Sequence, residues 1–129
     1  MTLDTAGSTL TLLRAFRATA ALAVASLAVQ FVTAGELFPR GGPEELHAGG
    51  AIVLHVVSGL AALSAVLLWR RGGPPPRIAV LAVVVFGLTF VQAATGGRDT
   101  LWLHVPGAMV LTAGVVWLAV EAFVPIRRR

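Results

Sequence analysis

The dipeptide Val-Gln closes an apolar run twice in this chain, and each time a glycine follows five residues after the glutamine. The first copy runs from Val29-Gln30 to Gly35, the second from Val91-Gln92 to Gly97. After each copy a short loop leads into another apolar run that opens with a histidine. These are His47, in His47-Ala48-Gly49-Gly50, and His104, in His104-Val105-Pro106-Gly107. A repeat of this form constrains the fold to two related hairpins, each delivering one histidine to the same side. An imidazole placed in hydrocarbon is costly, so a matched pair points to a shared ligand.

The hairpins belong in a membrane. Hydrophobic residues make up 57% of the chain and charged residues 12%, well beyond the balance of a soluble domain. A helix needs about 20 mostly apolar residues to cross the hydrocarbon layer. Four stretches qualify, at residues 18–35, 46–69, 78–95 and 101–120. They use most of the 129 residues, leaving one transmembrane domain over 1–129. The expected fold is all-α, an integral membrane four-helix bundle of two pseudo-symmetric helical hairpins.

A net charge of +4 could suggest nucleic acid, but the distribution points to a bilayer instead. Arg14 and Arg17 precede the first stretch, Arg70, Arg71 and Arg77 lie in the middle loop, and Arg127, Arg128 and Arg129 follow the last. In a four-span arrangement all three groups fall on one side, as the positive-inside bias requires. The other side carries Glu36, Arg40, Glu44, Glu45, Arg98 and Asp99. The reading is a multi-pass plasma-membrane protein with both termini cytoplasmic and both histidine-proximal loops outside. A cleaved signal peptide is the competing reading of the first stretch, since Thr33-Ala34-Gly35 is small-residue-rich. Its length and its shared glutamine motif favour retention.

The loops carry their own punctuation. Pro43, Glu44 and Glu45 suit the first turn of a helix. Gly72-Gly73-Pro74-Pro75-Pro76 makes a stiff separator between the hairpins. Asp99 or Thr100 is a candidate cap for the last helix. Residues 1–11 read as a frayed or interfacial start.

Both histidines lie just inside helices that start from the outer surface, so they sit at nearly the same depth. A pseudo-two-fold axis along the membrane normal would bring them face to face. That is the arrangement of bis-histidine haem ligation, with one imidazole on each axial position. The alternative is two histidines resting at the interface as amphipathic side chains. Without cysteine, thiolate ligation, iron–sulfur clusters, disulfides and covalent c-type attachment are excluded. Zinc or copper would need further ligands at that depth, for which Glu44 and Glu45 are the only candidates.

Gly49, Gly50 and Gly107 would give a planar macrocycle room beside the helices, or simply let helix backbones approach. Gln30 and Gln92 must find partners when buried. They could support the imidazoles or bond between helices. Arg98 and Arg40 could pair with haem propionates, though surface arginines are commonly just solvated. His55 lies eight residues beyond His47, about 12 Å deeper and roughly 80° round the helix. Its counterpart in the second hairpin is Thr112, so it has no symmetric mate. It could serve a second ligand or metal, or be a buried histidine satisfied by a neighbour.

Taken together, Gln-x4-Gly, then Glu44-Glu45-Leu46-His47, then Gln-x4-Gly and Leu103-His104 again resemble one half of the haem A synthase family. In that family each half is a four-helix bundle whose second and fourth helices hold haem between two histidines. The resemblance implies that His47 and His104 ligate haem iron. The chain departs from the family in having Ala48, where an arginine commonly follows the first histidine, and four spans in place of eight. It is also similar to small four-span bacterial membrane proteins with the same histidine pattern.

The leading expectation is a small b-type cytochrome, binding one haem b through His47 and His104 for electron transfer or haem handling. Gly50, Gly107, Gln30, Gln92 and Arg98 would line the cofactor. One alternative is a cofactor-free accessory subunit of a larger membrane complex. Another is a haem-modifying oxidase in which Glu44 acts beside the first histidine. Expected partners are the lipid bilayer and either a second copy or a larger complex, with no nucleic acid.

Overall fold

A computed structural model of the chain describes residues 3–38 and 41–124, with side-chain surroundings from residue 7 onward. It contains four long helices: α1 (Leu3–Leu37), α2 (Glu44–Arg70), α3 (Pro76–Ala94) and α4 (Leu101–Phe123). A 3-10 turn, Arg98–Thr100, precedes α4. Each of the four is long and apolar enough to cross a membrane.

The helices form an up-down ring. Each packs on its neighbours in the order α1–α2–α3–α4, and α4 closes back on α1. Among the described residues, α2 and α4 make no close backbone contact, and neither do α1 and α3. These pairs therefore lie on the two diagonals. The histidine-bearing helices α2 and α4 face each other across the bundle.

Local chemistry sets the ends. Pro43 precedes α2, with Glu44 and Glu45 in its first turn, where the N-terminal partial positive charge favours carboxylates. Pro75 precedes α3, which opens with Pro76, where a missing N–H costs nothing. At the far end of α2, Gly72 takes φ +72°. The Gly73 and Gly72 amides then close back on the Leu68 and Trp69 carbonyls, each at 3.0 Å. This is a Schellman stop, and its left-handed residue favours glycine.

α1 differs most from the sequence expectation. It begins at Leu3, well before residue 18, so most of residues 1–11 is helical rather than frayed. At 35 residues it is about 52 Å long, against about 30 Å of hydrocarbon. Its early part is tied down: Phe16 is buried, and Leu12 and Leu13 pack against the core. Ser8 accepts a hydrogen bond from Arg71. The Arg17 guanidinium donates to the Ala122 carbonyl at 3.0 Å and lies 5.8 Å from the Phe123 ring. A cation on the last carbonyls of α4 opposes that helix's negative end. Arg77 pairs with Glu121 at 3.5 Å, and the Trp117 indole donates to the same carboxylate at 3.3 Å. Glu121 thus ties α4 to the first turn of α3. Arg17, Arg71 and Arg77 gather at one end of the bundle, and His47 and His104 lie at the other. Arg40 and Arg127 to Arg129 fall outside the described residues.

The repeat extends to the core. The offset of 57 residues from His47 to His104 carries buried Leu54, Ser58, Ala61 and Ala65 of α2 onto Leu111, Val115, Leu118 and Ala122. These four are the buried residues of α4. The offset of 62 from Gln30 to Gln92 carries buried Phe16, Ala20, Ala23 and Leu27 of α1 onto Ile78, Ala82, Val85 and Thr89, all buried in α3. The two hairpins bury the same faces. Of the paired sites, Ser58/Val115 and Leu27/Thr89 exchange a polar for an apolar side chain.

The buried residues form two apolar layers. One, around Phe16, Ala61, Leu68, Ile78 and Leu118, fills the arginine end. The next, around Leu27, Leu54, Val85, Leu111 and Val115, fills the middle. Neither layer includes the histidine level, which is built from polar side chains.

Candidate functional site

His47 is the fourth residue of α2 and His104 the fourth of α4. The equal position explains their equal depth. Their ring centroids stand 6.5 Å apart with planes at 67°. Two imidazoles 57 positions apart in the chain thus meet across the diagonal, each half-buried.

Each ring is held through Nδ1. The His104 Nδ1–H donates to the Gln92 backbone carbonyl at 3.1 Å, because a carbonyl can only accept. The His47 Nδ1 lies 3.0 Å from the Thr33 hydroxyl. That hydroxyl also lies 3.0 Å from the Val29 carbonyl and 3.1 Å from the Gln30 carbonyl. Its single hydrogen serves the carbonyls, so the imidazole Nδ1–H donates to its oxygen. The network assigns the same tautomer to both rings. In the neutral ring hydrogen then sits on Nδ1, and Nε2 keeps its lone pair. A backbone carbonyl or side-chain oxygen on the far ring nitrogen is the usual support for a metal-ligating imidazole.

The two glutamine side chains lie beside this pair without bonding to the rings. Gln30 Nε2 donates to the His47 backbone carbonyl at 3.1 Å. A Cβ added at Gly50 would overlap this amide, and one at Gly107 would overlap the Gln92 amide. Each glutamine therefore fills the notch that a glycine leaves one turn below its histidine. The room at Gly50 and Gly107 is taken by these amides, whereas Gly49 faces open space. The glycine-glutamine fit between neighbouring helices is what the repeated spacing encodes. Gln92 differs in one respect: its Oε1 is buried without a hydrogen-bond partner among the described residues.

Thr33 was not singled out from the sequence. Its signal was present: Thr33 and Thr95 are related by the same offset of 62, and both stand three residues after the repeated glutamine. Thr95 back-bonds to Val91 at 2.9 Å and to Gln92 at 3.4 Å, as Thr33 does in its helix. Thr100 donates to the Thr95 carbonyl at 2.8 Å and the Gly97 carbonyl at 3.0 Å. It thereby ties the loop before α4 without capping that helix through its side chain.

The remaining candidates stand apart. Glu44 and Glu45 are exposed, and no group of three or more His, Asp or Glu able to hold a metal occurs among the described residues. Arg98 is exposed on the 3-10 turn and forms no ion pair among them. His55 lies two turns deeper on the α2–α3 seam, bonded to Thr89 at 2.7 Å and packed against Phe86 and Phe90. No family model, curated protein or solved structure matches the chain.

Proposed function

We propose that this chain is a small membrane cytochrome of b type, holding one haem between His47 and His104 near the extracytoplasmic face. The observation that carries the reading is the facing pair of imidazoles, both with Nδ1 engaged and Nε2 without a hydrogen-bond partner among the described residues. Two metal–imidazole bonds of about 2.0–2.1 Å each, plus the radii of two five-membered rings, put ring centres about 6 Å apart. The pair stands at 6.5 Å. A site with two protein donors and no third fits a group that brings its own four nitrogens. It fits poorly a tetrahedral metal that needs three or four from the protein. The resemblance to half of haem A synthase points the same way.

Held by His47 and His104, a haem would supply one-electron transfer. The chain's residues set its position. Thr33 and the Gln92 carbonyl orient the rings, and the glutamine-glycine contacts hold α1 against α2 and α3 against α4. Glu44, exposed and on the same helix face as His47, contributes negative charge near the site. The positive-inside bias supports a plasma-membrane protein with the arginine end, and both termini with it, on the cytoplasmic side.

The test is the visible spectrum of full-length protein purified in detergent from haem-replete cells. A Soret band with sharp α and β bands on reduction is expected, and a colourless protein overturns the reading. Reporter fusions in the loop after α1 and at the C-terminus should report opposite compartments.

A further inference from the structure

His55 is the one histidine that the proposed haem site leaves unused, and its surroundings differ from those of the other two. It lies at the twelfth position of α2, about 16 Å along the helix from its start and hence near the middle of the span. Thr89, buried on α3, sits 2.7 Å from His55 Nδ1 and 2.6 Å from the Phe86 carbonyl. Only one arrangement puts a hydrogen into both short contacts. The Thr89 hydroxyl donates to the carbonyl, and the His55 Nδ1–H donates to the hydroxyl. Nε2 is left as an acceptor.

That nitrogen has no hydrogen-bond partner among the described residues, yet it is absent from their buried, unpartnered polar atoms. It therefore keeps surface that no protein atom covers. Two rings flank the imidazole: Phe90 at 3.8 Å and Phe86 at 4.9 Å between ring centroids. Phe90 is itself half-exposed at 53%. On the opposite seam, between α4 and α1, the symmetry-related positions are Thr112, Leu27, Val24 and Ala28. No imidazole and no aromatic ring occurs there. The second hairpin does without this arrangement, so packing alone does not require it.

We propose that His55, Phe86 and Phe90 form a lipid-side binding site for a membrane-dissolved hydroquinone ring. At this depth no water is at hand to serve a lone pair, and an unserved acceptor is costly. The ligand that meets it must dissolve in hydrocarbon, carry an O–H donor and present a flat face to aromatic rings. A quinol head group has all three properties. The hydroxyl donates to Nε2, Thr89 holds the ring tautomer that makes Nε2 the acceptor, and the phenylalanines supply aromatic contact. The inference concerns His55 alone and stands whether or not His47 and His104 bind haem.

The experiment uses the full chain in lipid nanodiscs with 15N-labelled histidine, and decyl-benzoquinol as the probe. A saturable shift of the His55 Nε2 resonance is expected, with His47 and His104 unmoved. His55→Phe keeps a ring of similar bulk and should weaken retention of the probe about tenfold, the worth of one hydrogen bond in a dry site. The dimethyl ether of the same quinol, offered to the unaltered protein, should bind weaker by a similar factor. No shift at saturating probe overturns the proposal. So does a dimethyl ether that binds as well as the quinol.

Discussion

The two hairpins put their histidines at one level by different means. In the first, the His47 ring leans on a threonine hydroxyl while its backbone carbonyl accepts from Gln30. In the second, the His104 ring leans on the backbone of Gln92, and the side chain of Gln92 keeps an oxygen buried without a partner. The same glutamine, threonine, glycine and histidine recur in both. The difference shows which part of the repeat is rigid. Glutamine in a glycine notch is kept in both halves, and the bond to the ring is improvised. In each half a group at or one turn after the glutamine orients the imidazole, by side chain in one and by main chain in the other.

The largest effect should come from the histidines themselves. If the pair holds haem as proposed, His47→Ala and His104→Ala should each abolish the low-spin spectrum or convert it to a high-spin form, while His55→Ala leaves it intact. Unequal loss from the first two variants would break the symmetric reading of the pair.

Next come the threonines, which should separate the halves. Thr33→Val removes the acceptor of the His47 Nδ1–H and leaves it unserved, a cost of about 1–3 kcal/mol. Haem affinity should fall about 10–100-fold, as for other lost supports of a ligating imidazole. Thr95→Val should change affinity by less than about twofold, because His104 leans elsewhere; titration of apoprotein with haem reads both. Equal losses would mean that the second ring also depends on its threonine.

A smaller difference is expected at the glycines. Gly50→Ala displaces the Gln30 amide and should cost about 1 kcal/mol for the lost bond to the His47 carbonyl. Gly107→Ala displaces an amide with an already unserved oxygen and should cost less. Thermal unfolding in detergent gives the ranking, and Gln30→Ala combined with Gly50→Ala should recover part of the loss if the notch is its cause.

The smallest effect is at Ser58, whose Oγ is buried without a partner among the described residues. Its counterpart is Val115. Ser58→Ala should be neutral or stabilising by up to about 1 kcal/mol, since no bond is lost and a desolvated hydroxyl is removed. A clear destabilisation would show that the hydroxyl has a role.

Spans, hairpin order and the shared depth of His47 and His104 were legible because charge, proline and histidine are rare in an apolar chain and mark its ends sharply. Which face of each helix points inward was not. Val53 is exposed and Leu54 buried, and nothing in their chemistry separates them, because lipid tails are as apolar as a leucine core. The start of α1 was hidden for a related reason. Hydropathy marks apolar runs, and a helix can begin well before one, as α1 does at Leu3. Thr33 escaped notice because one hydroxyl among many becomes a support only when a ring is brought to it. His55 was legible as unmatched, but its link to Thr89 depends on how α2 and α3 settle against each other.

The bond from Arg17 to the Ala122 carbonyl joins positions 105 residues apart, and this has a consequence for biogenesis. A chain inserted from its N-terminus can seat α1 on α2 and then α3 on α2, each against a partner already present. The seam between α4 and α1 must wait until the last helix is made. So must the facing imidazole, because His104 arrives with that helix. A nascent chain halted after α3 therefore exposes His47 alone in an open three-helix groove, and the final helix both zips the ring shut and completes the pair.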